Sequence, residues 1–326
     1  MSKAEIKARE ILDLIKQGNS IETIRKQVST SPDEWYKYSS KAYNLSLVDE
    51  RKERKILKKK PHVSVTSNEV IAEILDLNET LANYGLLLPI FATNPELDYI
   101  KKLSSQLPVS ESEIIQVIGK MTMHPKIRVM QKKGRIEKFE YFKIFSKLLD
   151  AATLSYYRTN FISCYLTLLP IVEGIIIRWM GYTEFGKKPE FEDIRKFFKN
   201  SAHRQPLPSS IQFHNIYTKA CDKILNEHFY RPTEKGGAYA NFNRHVASHL
   251  LSDNQFATKE NCIRLYILID TMTEIYLYES RQNDPRFILH NDDLKDDIKH
   301  FANAILDNIA QTPEQLILGT SSSDLH

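Results

Sequence analysis

Apolar residues along this chain recur at intervals of three and four, the period of a helix with one buried face, and alternating β-branched runs are few. Near the start, Ile6, Ile11, Leu14 and Ile15 fall on one stripe, and Gly18-Asn19 supplies a helix stop. Ser20 stands as the N-cap of a second, short helix carrying Ile21, Ile24 and Val28. Ser31-Pro32 then sets a cap beside a proline at the first helical position, which predicts a third helix from Asp33-Glu34-Trp35. Further on, residues 69–107 read as two or three helices broken at Gly85 and at Thr93-Asn94-Pro95. A helix capped by Ser110, with Glu113 at the capping-box position, comes next.

From residue 138 a long helical pattern runs through Phe139, Phe142, Phe145, Leu148 and Leu149, and a second crosses residues 161–180. A short helix over 191–198, a proline-rich loop at Arg204-Gln205-Pro206-Leu207-Pro208 and a helix over 211–229 follow. After a turn at residues 232–237, helices are expected over 241–251 and from about residue 259 to 279. The expected fold is all-α. Four stretches are expected: an N-terminal helical region 1–60, a helical middle region 61–137, a helical bundle 138–311 and a flexible tail 312–326. The first boundary rests on Pro61 and the polar string from His62 to Asn68, which reads as a linker.

Composition supports a folded chain without pointing to a partner. Hydrophobic residues make up 42% and charged residues 26%, enough to bury a sizeable core. With 45 basic and 41 acidic side chains the net charge is +4, too small to impose a polyanion as ligand. Locally, the run Arg51-Lys52-Glu53-Arg54-Lys55-Ile56-Leu57-Lys58-Lys59-Lys60 is basic, whereas Asp292, Asp293, Asp296 and Asp297 make the C-terminal region acidic. The N-terminal part is therefore the expected place for a DNA or regulatory partner. Its first forty residues resemble, in cadence, the helix-turn-helix modules of transposases and small terminase subunits; a plain helical hairpin that packs or dimerises fits equally. Cys164, Cys221 and Cys262 match neither a disulfide framework nor a CxxC metal site, and read as core residues in a reducing compartment. The apolar stretch 161–180 contains Pro170, Glu173 and Arg178, so a buried helix is expected rather than a membrane span. The start of the chain is polar, and the expected location is the cytoplasm.

Chemistry concentrates at Asn243-Arg244-His245-Val246-Ala247-Ser248-His249. This segment resembles the active-site signature of HEPN ribonucleases: an arginine, usually followed by Asn, Asp or His, then a few residues and a histidine. The context agrees, since Leu250-Leu251, a polar turn and a long apolar helix follow, and Thr167-Leu168-Leu169-Pro170-Ile171-Val172-Glu173-Gly174 looks like the first long helix of such bundles. The resemblance covers roughly residues 138–281. Several bacterial members carry Gly directly after the motif histidine, where this chain has Leu250.

The resemblance implies an endoribonuclease without metal or other cofactor, with Arg244 and His249 as catalytic residues and RNA as substrate. The residue types suit that chemistry. An imidazole titrating near neutrality can handle the proton of a 2′-hydroxyl or of the leaving 5′-oxygen, and a guanidinium can hold the charge gathering on phosphoryl oxygens. On a helix, positions five apart differ by about 140°, so one copy sets the pair on the edges of a face. HEPN enzymes generally pair two domains around one cleft, which implies a homodimer here. Asn243 and His245 are then supporting residues that orient phosphate or hold His249. Glu173, in an otherwise apolar helix, needs a partner, and Arg178 or Arg244 can supply it. The resemblance further implies use in phage defence or toxin-like growth arrest.

Two other readings of the same residues stand beside this one. His245 and His249, about 40° apart on a helix, are spaced as two metal ligands, but a third from His214, His228 or Glu173 has no spacing to support it. Alternatively, Arg244 and His249 are structural, and the chain is a non-enzymatic nucleic-acid-binding or regulatory protein that uses its bundle to dimerise. Tyr156, Tyr157, Phe161, Tyr276 and Tyr278 can stack on bases or simply fill a core. No Walker A loop, GxGxxG or GxSxG elbow occurs.

Overall fold

The computed structural model describes residues 2–60, 65–106, 109–182, 188–204, 207–232, 242–248 and 256–307. Among them every regular element is helical, as the periodicity predicts. The tail 312–326 and most of the turn 232–237 lie outside the described residues.

The N-terminal region is three helices: α1 (Lys3–Lys16), α2 (Ile21–Val28) and α3 (Pro32–Lys58). Ser20 and Ser31 accept from backbone N–H groups three residues on, Pro32 occupies the first turn, and Gly18 takes φ +82°, a conformation that a side chain would strain. The buried stripe of α1 is Ala8, Ile11 and Leu12, and Ile6 is 54% exposed, contrary to expectation. A small core of these residues with Ile24, Val28, Trp35, Tyr38 and Ala42 holds the three helices together.

Helix α3 is long and extends through the basic run, so it ties this region to the rest. Its Glu50 caps a later helix, α12 (Ile211–Ile224), accepting from the backbone N–H of Ile211 at 2.6 Å and of Gln212 at 3.1 Å. Arg54 holds the other oxygen of Glu50 at 2.8 Å. Tyr43 reaches the same helix, its hydroxyl 2.8 Å from His214 Nδ1, while His214 Nε2 stands 2.9 Å from Glu279.

Beyond α3 come α4 (Asn68–Ala82), α5 (Asn94–Ser104), α6 (Glu111–Thr122) and α7 (Pro125–Gln131). The capping box forms at Thr93 and Glu96, not at Ser110 and Glu113. Glu111 of that first turn pairs instead with Arg264. The pattern from residue 138 is no continuous helix: turns and a short 3-10 segment lead into α8 (Ser146–Tyr157), and Leu148 is exposed. Phe139 and Phe142 are buried there because the turns fold them onto Trp179 and Tyr276, which mimics a helical spacing.

The main bundle is completed by α9 (Phe161–Trp179), α10 (Phe191–Arg195), α11 (Ser201–Arg204), α12, α13 (Arg244–Ser248), α14 (Lys259–Ser280) and α15 (Asn291–Asp307). One core runs from Ile71 to Ala304, so the expected middle region and bundle share their interior. By length and composition α9 could cross a membrane, but here it packs against α8 and α14.

Helix α14 is buried on nearly every side, and its four buried charged residues each meet a different partner. Arg264 pairs with Glu111, Asp270 with Arg128, Glu274 with Arg135, and Glu279 with Arg204. Arg135, fully buried, also holds Asp284 at 2.8 Å. Burial without such partners would be prohibitive, so these pairs dictate which helix lies where around α14.

Candidate functional site at the start of helix α13

The expected motif begins where α13 starts. Asn243 is its cap: Oδ1 accepts from the His245 N–H at 2.8 Å and the Val246 N–H at 3.4 Å, satisfying donors a helix start leaves open. The amide of Asn243 donates to the carbonyls of Arg231 and His228, and the residue is buried. Asn243 therefore positions backbone, with both ends of its amide engaged; of its two expected roles this speaks against orienting a phosphate, while holding His249 concerns a residue outside the described ones.

Arg244 is held by Glu173, its Nε donating to Oε2 at 2.7 Å. Of the two partners expected for Glu173, the structure thus selects Arg244. The glutamate side chain is 13% exposed and the arginine 28%, so the pair sits at the edge of the core. Only Nε is engaged by a described residue, which leaves the two terminal nitrogens of the fork.

Aromatic side chains that the spacing did not reveal complete the surroundings. Tyr230 is buried, its hydroxyl without a hydrogen-bond partner among the described residues. Burial and the Glu173 carboxylate push its pKa up, against the opposing effect of Arg244, so the phenol stays neutral beside the ion pair. Phe191, at the start of α10 and 40% exposed, packs edge-on to Tyr230 at 5.2 Å and to the His245 ring at 5.8 Å. Tyr230 follows directly on a π-turn, Leu225–Phe229, that extends α12. Such turns often mark functional sites, but nothing in residue type announces one.

His249, the second expected catalytic residue, lies outside the described residues. Among the described residues no three His, Cys, Asp or Glu side chains gather as metal ligands would. The histidines a metal reading would recruit are engaged elsewhere: His214 with Tyr43 and Glu279, and His228 through Nε2 with the Ala82 carbonyl at 2.8 Å. Tyr156 and Tyr157 are buried, Phe161 packs on Tyr156, Tyr276 packs on Phe139 and Trp179, and Tyr278 stacks on Tyr217, so these rings fill the interior. In the basic run, Arg54 is paired with Glu50 and Lys58 with Glu69.

Comparison with models of known protein families, with curated proteins and with solved structures finds no match to this chain.

Proposed function

We propose that this chain is a metal-independent, HEPN-type endoribonuclease that works as a homodimer through Arg244 and His249. One observation carries the reading: the Arg244 guanidinium is anchored through Nε by Glu173, and no described residue engages its terminal nitrogens. An arginine fixed in this way is pre-oriented, so its fork can meet two phosphoryl oxygens with little further loss of freedom. His249 then takes the proton of the attacking 2′-hydroxyl or returns one to the leaving 5′-oxygen. Asn243 sets the start of the helix that carries Arg244, and His245 lies against Phe191. Two chains bring two such starts to one cleft, and the cellular use is phage defence or growth arrest.

The test is incubation of purified protein with total RNA in EDTA, alongside Arg244→Ala and His249→Ala. Cleavage persists in EDTA for the parent chain and falls by roughly 10²-fold or more in each variant. Light scattering gives the mass of two chains. Cleavage lost in EDTA alone would instead restore the metal reading.

The same ion pair favours a second reading, in which Glu173 neutralises Arg244 and the contact is purely structural. The chain is then a non-enzymatic nucleic-acid-binding or regulatory protein that dimerises through its bundle, with DNA or a regulatory partner at the N-terminal region. Intact RNA under every condition, at concentrations where DNA migration is shifted, selects that reading.

A further inference from the structure

We infer that the outer face of α3 is a docking surface for duplex DNA, held through its phosphates and without regard to base sequence. The inference stands apart from the ribonuclease reading and gives the DNA partner of the second reading a definite place. Helix α3 buries Trp35, Ala42, Tyr43 and Ser46 on the side that meets α1, α11 and α12. On the opposite side, at intervals of three and four, stand Lys37, Lys41, Asn44, Val48, Arg51, Lys55 and Lys59, all exposed. At about 1.5 Å per residue this row runs about 33 Å, and it holds five cations and no carboxylate.

These cations are not spent within the protein. None of the five makes an ion pair with a described residue, whereas the lysines beside the row do, Lys52 with Asp49 and Lys58 with Glu69. Of the other carboxylates on α3, Glu34 faces Lys3, and Glu50 is held by Arg54 and the start of α12. Asp33 lies in the first turn, ahead of the row, and Glu53 lies about 160° round the helix from Lys37. Lys37 and Lys41, Arg51 and Lys55, and Lys55 and Lys59 are like charges one turn apart, an arrangement that costs helix stability and that a polyanion relieves. A helix-turn-helix module presents the first turn of its recognition helix to base edges. Here that turn carries Asp33 and Glu34, which phosphates repel, so the contact belongs to the flank of α3 and not to its start.

The spacing within the row selects the occupant. Lys37 and Lys41 form one cationic end, Arg51, Lys55 and Lys59 the other, and about 15 Å of helix separates Lys41 from Arg51. Charged heads on long stems so placed reach the two backbones that border a B-form major groove about 12 Å wide. Asn44 and Val48 fall between them, over the groove, where no phosphate stands. Val48 suits the base-lined floor of that groove better than the hydroxyl-lined minor groove by which RNA duplexes are recognised. No aromatic side chain lies in the row, so a single strand finds no stacking platform there. Val48 is also the one apolar residue of the row, too little for a helix that settles into a membrane surface.

Fluorescence anisotropy of the full chain in EDTA, with labelled DNA duplexes of about 20 base pairs, twice the length of the row, tests the proposal. Two unrelated sequences are expected to bind alike, with Kd about 10⁻⁴–10⁻⁶ M in physiological salt. A plot of log K against log salt should fall with a slope of roughly −4 to −5, as five phosphate contacts require. Lys37→Gln with Lys41→Gln, and separately Lys55→Gln with Lys59→Gln, should each weaken DNA roughly tenfold or more and flatten the slope by about two, with thermal melts unchanged. Lys102→Gln with Lys138→Gln, at exposed positions elsewhere, should change neither. The same duplex as RNA, the single DNA strand and phosphatidylserine vesicles serve as rivals. The proposal is overturned by absence of DNA binding at about 50 mM salt, by a slope that neither α3 pair alters, by an equal loss from the control pair, or by tighter binding to any rival. The readout needs no turnover, so it can fail while RNA cleavage stands and succeed where cleavage is absent.

Discussion

Arg244 and Glu173 illustrate how a single contact can hold a functional group and cost little to maintain. The pair lies at the surface edge, so its Coulomb energy is partly screened. Glu173→Gln should therefore lower stability by only about 1 kcal/mol in urea unfolding, while on the ribonuclease reading proposed above RNA cleavage should fall further than this stability loss accounts for. Cleavage unchanged in that variant would detach Glu173 from the site. Asn243 should behave in the opposite way. Asn243→Ala removes a cap and the partner of two carbonyls, a loss of about 1–2 kcal/mol. Its effect on cleavage should follow from a misplaced α13. Part of this was legible beforehand: a carboxylate in an apolar helix demands a cation. Which cation it would be was not, because Arg178 and Arg244 satisfy the demand equally until the helices are packed. Phe191 and Tyr230 carried no signal, since isolated aromatics far apart in sequence are ordinary core residues.

Among elements, the junction of α3 with α12 decides how firmly the N-terminal helices are held. Glu50 accepts two backbone N–H groups from the start of α12, so Glu50→Ala leaves those donors without their carboxylate at a half-buried helix end. The expected cost is about 2 kcal/mol. Hydrogen exchange should show earlier opening along residues 32–58 than in the core of α14. Equal protection changes in both would mean that the chain unfolds as one unit. Helix boundaries were the best-read feature of the sequence, because caps, prolines and glycine stops act within four residues of the end they set. The stretch 138–145 misled for a related reason. Phenylalanines three apart satisfy a helical period, yet here they are buried by turns folded against Trp179 and Tyr276.

For the whole molecule, acid stability follows from buried titrating groups. Burial lowers the pKa of His203 and His228 in the folded chain, so the unfolded chain takes up protons first as pH falls. Their contribution is complete above about pH 6.5 and is lost below it. Burial works against ionisation of Asp284, but hydrogen bonds from Arg286 and Arg135 outweigh it and hold its carboxyl well below the usual range. That contribution is present above about pH 4 and fades as pH falls further. Urea midpoints measured from pH 8 to pH 3 should thus decline in two stages, and a His203→Gln, His228→Gln double variant should flatten the first. Removing the cation from the central network is more severe. Arg135→Met leaves Glu274 and Asp284 buried without it and should cost about 3–5 kcal/mol in the same measurement. A cost below 1 kcal/mol would mean that Arg286 alone suffices for both carboxylates.

By itself the sequence determined the all-α class and most of the helix ends. These follow from period, caps and residue type, which are local properties of a chain. Only the tertiary structure decided the partners: Arg244 for Glu173, a different opposite charge for each buried charged residue of α14, and one core shared by residues 71–304. The physical reason is that a helix buried on all sides, as α14 is, shows no polar face from which its neighbours could be read. A buried charge states only that a partner exists, and packing alone chooses which one.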